Sequence, residues 1–286
     1  MQNPPHGQSS LPPRLSSHVS RFIGIDEGRN KLLKFSPANP QKEWCISITG
    51  KSRTLQTLDE NRLLMVSDTG FSEIDTTNGE MLSETKCCSS GVISAFRLQS
   101  GHTFIGGLDL FNRKGVTFAE LDSHTKLVRQ TTFPGDYVRR ATLTATDTIL
   151  FTCDSRVYEG DWSGAIIREF AATGFRHAWK AVRTKNNTTI ISAGYGAFVA
   201  EFDINGGIIQ RWECTKFVEA IRPHFFGDFE LLPSGELLVC NWLGHGEDLG
   251  RTGHSLLLFS SDGDLLATWQ DAARISSLQT FVLTID

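Results

Sequence analysis

The segment Ala200-Glu201-Phe202-Asp203-Ile204-Asn205-Gly206 decides the fold. Apolar and acidic residues alternate with a period of two, the mark of a half-buried strand. The run ends in Asn-Gly, a pair that accepts the positive φ of a tight hairpin. The same element recurs at Lys34-Phe35-Ser36, Glu73-Ile74-Asp75, Glu120-Leu121-Asp122, Glu159-Gly160-Asp161 and Leu258-Phe259-Ser260. The turns that follow include Asn78-Gly79, Ser163-Gly164 and Asp262-Gly263. A second turn recurs one hairpin earlier, at Glu60-Asn61, Ser100-Gly101, Thr146-Asp147, Asn186-Asn187 and Ser234-Gly235. Five copies of this turn stand against six of the first, and the missing one falls where the sequence begins and ends. Residues 276–286 read as an inner strand with no hairpin partner after it, and residues 21–26 as the strand it lacks. Six units of ~44 residues, each of four antiparallel strands, predict an all-β, six-bladed β-propeller. The C-terminal strand is expected to close the ring by joining the N-terminal strands, which removes open sheet edges. The propeller is assigned to residues 20–286. Residues 1–19 hold four of the nine prolines and read as a disordered tail. Trp44, Trp212 and Trp269 fall near the ends of outer strands, where packing between blades is expected.

Composition narrows the function. The chain has 28 basic and 32 acidic residues, a formal charge of −4. That excludes a generally basic nucleic-acid binder and a polybasic membrane-surface protein. No apolar run approaches the ~18 residues of a spanning helix. The N-terminus has no apolar leader, so secretion is not expected. Six cysteines without a CxxC pair point to a reduced, cytoplasmic setting.

In such a ring the hairpin turns lie on one face. The loops entering each inner strand lie on the other, around the channel. Loops on a rigid scaffold are where function is expected. Aligning the units on their turns gives a first column of Lys51, Gly91, Tyr137, His177, Phe225 and Arg274. Two residues deeper it reads Arg53, Ile93, Arg139, Trp179, Gly227 and Ser276. Leu55, Ala95, Ala141, Ala181, Phe229 and Leu278 then form an apolar floor. The intervening Thr54, Ser94, Arg140, Lys180, Asp228 and Ser277 are expected to point between blades, with the opposite parity as the alternative.

Repeated positions report the fold, and unrepeated ones report use. Lys51, Arg53, Arg139 and Arg274 with His177 concentrate positive charge in a concave site of an acidic protein. That suits an anionic ligand or developing negative charge. Tyr137, Trp179 and Phe225 add flat apolar surface for a small molecule. The competing expectation pairs the arginines with Asp68, Asp109 or Asp154. The longest loop between second and third strands runs from Asn241 to His254. It is expected to cover the channel mouth with Trp242 and His245 inward, or else to be a surface loop braced by its own hydrogen bonds. His224 enters the same face beside it.

No GxSxG elbow, HExxH helix, Walker loop or GxGxxG turn occurs. Asp26, Asp68, Asp154 and Asn241 fall near one level, but calcium would need several such oxygens to converge, against neighbouring cations. Neither a metal nor a cofactor is expected.

His177-Ala178-Trp179-Lys180-Ala181, Ser192-Ala193-Gly194-Tyr195-Gly196-Ala197, Asn241-Trp242-Leu243-Gly244-His245-Gly246 and Ile275-Ser276-Ser277-Leu278-Gln279 resemble segments of bacterial and fungal six-bladed propellers of the quinoprotein-like group. The resemblance covers roughly residues 20–286. Length, the missing leader and the general run of the sequence are similar to fungal propellers of tropolone–sesquiterpenoid pathways, which act as hetero-Diels–Alderases. That resemblance implies a pericyclase. It would dehydrate a hydroxymethyl tropolone to a quinone methide and add it across an alkene of a humulene-type terpene. The partners would be an anionic aromatic and an apolar terpene, with no nucleic acid and no membrane span. Arg53, Arg139 and Lys51 would hold the tropolonate, and His177 or His224 would protonate the departing hydroxide. Tyr137, Trp179, Phe225 and Trp242 would stack the reactants, with His245 and Arg274 completing the wall. The alternatives are a non-enzymatic protein-interaction propeller and a metal-dependent hydrolase or lactonase.

Overall fold

The computed structural model describes residues 11–16, 21–50 and 52–284. Among these, 24 strands form six four-stranded antiparallel sheets. Each sheet is one blade, and its first strand in spatial order lines the channel. Blade 1 takes its inner strand from Leu278–Leu283 and continues with Phe22–Asp26, Lys31–Phe35 and Trp44–Ser47. The inner strands of blades 2 to 6 are Leu55–Thr57, Val92–Arg97, Ala141–Leu143, Ala181–Arg183 and Phe225–Leu231. The closure expected from the sequence is present, with Phe22 opposite Leu283 and Ile25 opposite Thr280.

The acidic letters of the repeat have separate tasks. The aspartate caps the hairpin turn. Asp203 Oδ1 accepts the amides of Asn205 and Gly207, both at 2.8 Å, and Asp122 and Asp161 do the same in their blades. The glutamate ties strands together. Glu73 accepts Arg97 from the next blade at 2.7 Å, and Glu159 accepts Arg183 from the next blade and Arg168 from its own. Trp44 and Trp212 donate their indole N–H to Thr76 and Ser260 of the following blade, each at 2.9 Å. Trp269 meets Phe35 of blade 1 edge-on at 5.0 Å. The three tryptophans therefore join blades, as expected. Between the sheets the core is dominated by buried phenylalanines, such as Phe118, Phe133 and Phe151.

Most of the expected N-terminal tail lies outside the described residues. Within it, Leu15 N donates to Thr268 O and Thr268 N donates to Pro13 O, both at 3.1 Å, and Leu15 is buried against blade 6.

Ring closure has its own latch. Asp26 is fully buried, and its carboxylate accepts the Ser276 amide at 2.9 Å, the Ser276 hydroxyl at 2.6 Å and the Ser277 amide at 2.9 Å. Asp26→Ala leaves those donors buried without partners, each costing ~1–3 kcal/mol. We expect a stability loss of about 3 kcal/mol or more, read by denaturant titration as a lowered midpoint.

Candidate functional site

Inner strands are irregular where they enter the channel. Arg139 N donates to Thr152 O, and Thr152 N donates back to Arg140 O, both at 2.9 Å. Two consecutive residues thus face one partner, which is a β-bulge. Trp179 and Lys180 share Ser192 in the same way, and the register also slips between Phe226 and Phe229 and between Val92 and Ser94. In blade 1, Ile25 pairs with Thr280 and Asp26 with Leu278, so Gln279 is the extra residue.

These bulges correct the expected parity. Arg140, Lys180 and Asp228 do not point between blades. Arg140 of blade 4 reaches across the channel to Asp228 of blade 6 at 2.8 Å, and Lys180 Nζ meets the other Asp228 oxygen at 2.8 Å. Thr280 of blade 1 donates its hydroxyl to the same carboxylate. Asp228 is fully buried. Burial alone would raise its pKa, but Arg140 and Lys180 outweigh it and hold the carboxyl well below the usual range. Thr54 and Ser94 instead bond neighbouring inner strands, to Ile93 O at 3.1 Å and from Ala141 N at 2.9 Å.

Above this polar network lies a cavity of about 230 Å³. Arg53, Arg139, His177 and His245 line it, together with the aromatic wall of Trp179, Phe225 and Trp242. Tyr195 and Gln279 complete it, and neither was among the candidates read from the sequence. Tyr195 had a visible signal in the Gly194-Tyr195-Gly196 segment. Gln279 had none, because the alignment placed Ser276 and Leu278 where the bulge places Gln279. The aromatic rings meet edge to face: Tyr195 on Phe225 at 4.8 Å, Trp179 on Phe225 at 5.4 Å and Phe225 on Trp242 at 5.4 Å. This geometry suits the ring quadrupoles and fixes the wall.

Among the described residues, neither Arg53 nor Arg139 forms an ion pair with a carboxylate. The three candidate partners are engaged elsewhere. Asp68 accepts Gly91 N at 3.2 Å, Asp109 holds Lys114 at 2.9 Å, and Asp154 accepts His177 N at 3.1 Å. Burial, then the nearby Arg139 cation, pushes the Arg53 pKa below the ordinary arginine value. Tyr137 stands behind the arginines. Its hydroxyl accepts Arg139 Nε and contacts His177 Nδ1, and the Arg139 cation lies 4.8 Å from its ring centre.

Of the loop from Asn241 to His254, Trp242 and His245 border the cavity, Trp242 buried in its wall and His245 largely exposed at its edge. His245 Nδ1 lies 2.7 Å from Glu27 Oε1, and Arg29 meets Glu247 at 3.3 Å, so the loop is fastened to blade 1. A further space of about 100 Å³ continues past Arg53, His245 and Gln279 toward Glu27 and Ser52. Asn241 also braces the loop through Arg222 O and His254 O, at 3.1 and 2.9 Å.

Two candidates stand elsewhere. Arg274 is not in the cavity wall. It pairs with Asp271 at 2.7 Å and Glu43 at 3.1 Å, with its guanidinium 4.1 Å from the Phe35 ring centre. The physical reason is the same bulge: blade 1 enters the channel at Gln279, which leaves Arg274 in the preceding loop. His224 is an exposed neighbour of the wall and does not line the cavity, its ring 5.4 Å from Tyr195 and 6.2 Å from Trp242. Burial, then Arg176 and Arg222, lowers its pKa. Lys51 lies outside the described residues.

No family model matches the chain, and no curated protein does. Solved structures match closely in shape. A protein of unknown function from Bacteroides caccae superposes with a TM-score of 0.75 at 16% identity, covering 91% of this chain and 97% of its own. Virginiamycin B lyase from Staphylococcus aureus gives 0.60 at 11% identity, covering 92% and 89%. The calcium-binding protein regucalcin from Agrobacterium tumefaciens gives 0.56 at 15% identity, covering 80% of each. At these identities the likeness shows the six-bladed fold, on which enzymes are found. Among the described residues, no group of three or more His, Cys, Asp or Glu is placed to hold a metal, and no helix is long and apolar enough to cross a membrane.

Proposed function

We propose that the funnel is the active site of a natural-product cyclase. It joins a tropolone quinone methide to a humulene-type terpene by an intermolecular hetero-Diels–Alder addition. The observation that carries this reading is the pair of arginines, Arg53 and Arg139, which among the described residues form no ion pair with a carboxylate, in an aromatic-walled cavity. A tropolone binds as its anion, and two guanidinium groups match adjacent oxygens through paired hydrogen bonds. His177 protonates the departing hydroxide, which yields the neutral quinone methide. His224 packs its ring edge-on against Tyr195. Trp179, Phe225 and Trp242 hold the two reactants face to face. Most of the acceleration then comes from proximity and exclusion of water, since cycloaddition needs no covalent catalyst. The concave, aromatic-walled cavity favours a small molecule over a peptide platform.

The test is a product assay. A tropolone quinone methide is generated from its hydroxymethyl precursor with a humulene-type alcohol present, with live or heat-killed protein. Chiral chromatography should show a single enantiomer formed faster with live protein. Racemic product at equal rate overturns the reading for this substrate pair.

A further inference from the structure

His177 is the proposed acid, yet its ring is addressed by donors. Arg139 Nη2 lies 3.2 Å from His177 Nδ1, and the Tyr137 hydroxyl contacts the same nitrogen. A guanidinium has only hydrogens to offer, so Nδ1 must present its lone pair. The Tyr137 oxygen in turn accepts Arg139 Nε, which directs the phenol hydrogen toward Nδ1. The histidine proton therefore sits on Nε2. Its nearest carboxylate oxygen, Asp154 Oδ1, is 3.6 Å away and already accepts the His177 amide. That distance is too long for a hydrogen bond, and among the described residues no carboxylate holds the Nε2 proton.

We propose that Tyr137 is the proton source behind His177, and that Arg139 carries the charge of the relay. This rests on the cyclase reading. A neutral imidazole that loses its Nε2 proton would become an imidazolate unless Nδ1 were protonated in the same event. Tyr137 supplies that proton. The C–O bond of the hydroxymethyl group breaks, and its electron pair leaves with oxygen. The oxygen takes the Nε2 proton to become water, Nδ1 takes the phenol proton, and Tyr137 becomes a phenolate on Arg139. Charge balances: a tropolonate anion becomes a neutral quinone methide as a neutral phenol becomes an anion. The arginine pair faces one negative charge before and after the step. Solvent then returns a proton to the phenolate. Burial, with help from the Asp154 carboxylate, outweighs the Arg139 and Arg53 cations and holds the resting Tyr137 phenol above its ordinary pKa, so the two arginines offset only part of the cost of the phenolate. Tyr137 is a positioning and relay residue, since it acts through His177.

The first readout needs no substrate. Nitrogen-15 NMR of the wild-type protein should show His177 with an unprotonated, hydrogen-bonded Nδ1 and a protonated Nε2. A proton resident on Nδ1 overturns the relay, whether or not the protein is a cyclase. The second readout is Tyr137→Phe in the product assay. It should lose about 100-fold in kcat with KM nearly unchanged, the scale of a general acid–base contribution. An unchanged kcat overturns the relay while leaving cyclase activity established.

Discussion

Arg53→Ala and Arg139→Ala should each weaken tropolonate binding about 10- to 100-fold. A hydrogen bond to a charged group is worth ~1.5–3 kcal/mol, and among the described residues neither arginine is ion-paired to a carboxylate. The binding constant is read from quenching of Trp179 and Trp242, which share the cavity with both arginines. Lysine at either position should restore little, because a point charge cannot match two adjacent oxygens as a planar fork does. Arg139→Ala should also lower kcat, since that side chain contacts both Tyr137 and His177. Arg53→Ala should act mainly on binding. If both variants bind tropolonate as tightly as the parent, the anion site is elsewhere.

The second large effect concerns stability. Asp228→Ala should destabilise the protein by about 3–5 kcal/mol, the cost of stranding buried charges. Arg140 and Lys180 would both lose their central anion, and Arg140 Nε already lacks a partner. The pH dependence follows from the sign of the shift. The Asp228 carboxyl titrates lower in the folded chain than in the unfolded one. Its contribution is therefore complete above the unfolded value of ~4 and is lost as pH falls below it. Denaturant midpoints of wild type and Asp228→Asn should differ most near neutrality and converge as the solution is acidified. A constant gap across that range would contradict the assignment.

The sequence displays its fold because the turn chemistry is repeated. Asp122, Asp161 and Asp203 cap their hairpins, Ser260 does the same with its hydroxyl, and Glu73 and Glu159 tie blades, so the pattern survives in plain text. The site is only half legible. Arg53, Arg139, His177 and the aromatic wall could be found because unrepeated residues interrupt a repeated frame. Bulges left no such mark. Arg139-Arg140, Trp179-Lys180 and Gly227-Asp228 share no residue type, and a bulge is fixed by backbone pairing that composition does not encode. That is why strict alternation misplaced Arg140 and Asp228, missed Gln279 and put Arg274 in the wall. The contact between His245 and Glu27 spans 218 positions and exists only because the ring brings its two ends together.

That meeting of ends has a kinetic side. The hydrogen bonds from Ser276 and Ser277 to Asp26 join residues 250 positions or more apart. Chain entropy opposes so long a loop until the intervening blades have stacked and made the two strands neighbours. We therefore expect the Asp26 contacts to form after the rate-limiting step. Asp26→Ala should then speed unfolding and leave the folding rate nearly unchanged in stopped-flow denaturant jumps. For a ring of weakly distinguished blades, lifetime in the folded state is set at one seam, and it is the same seam that carries Gln279 into the cavity.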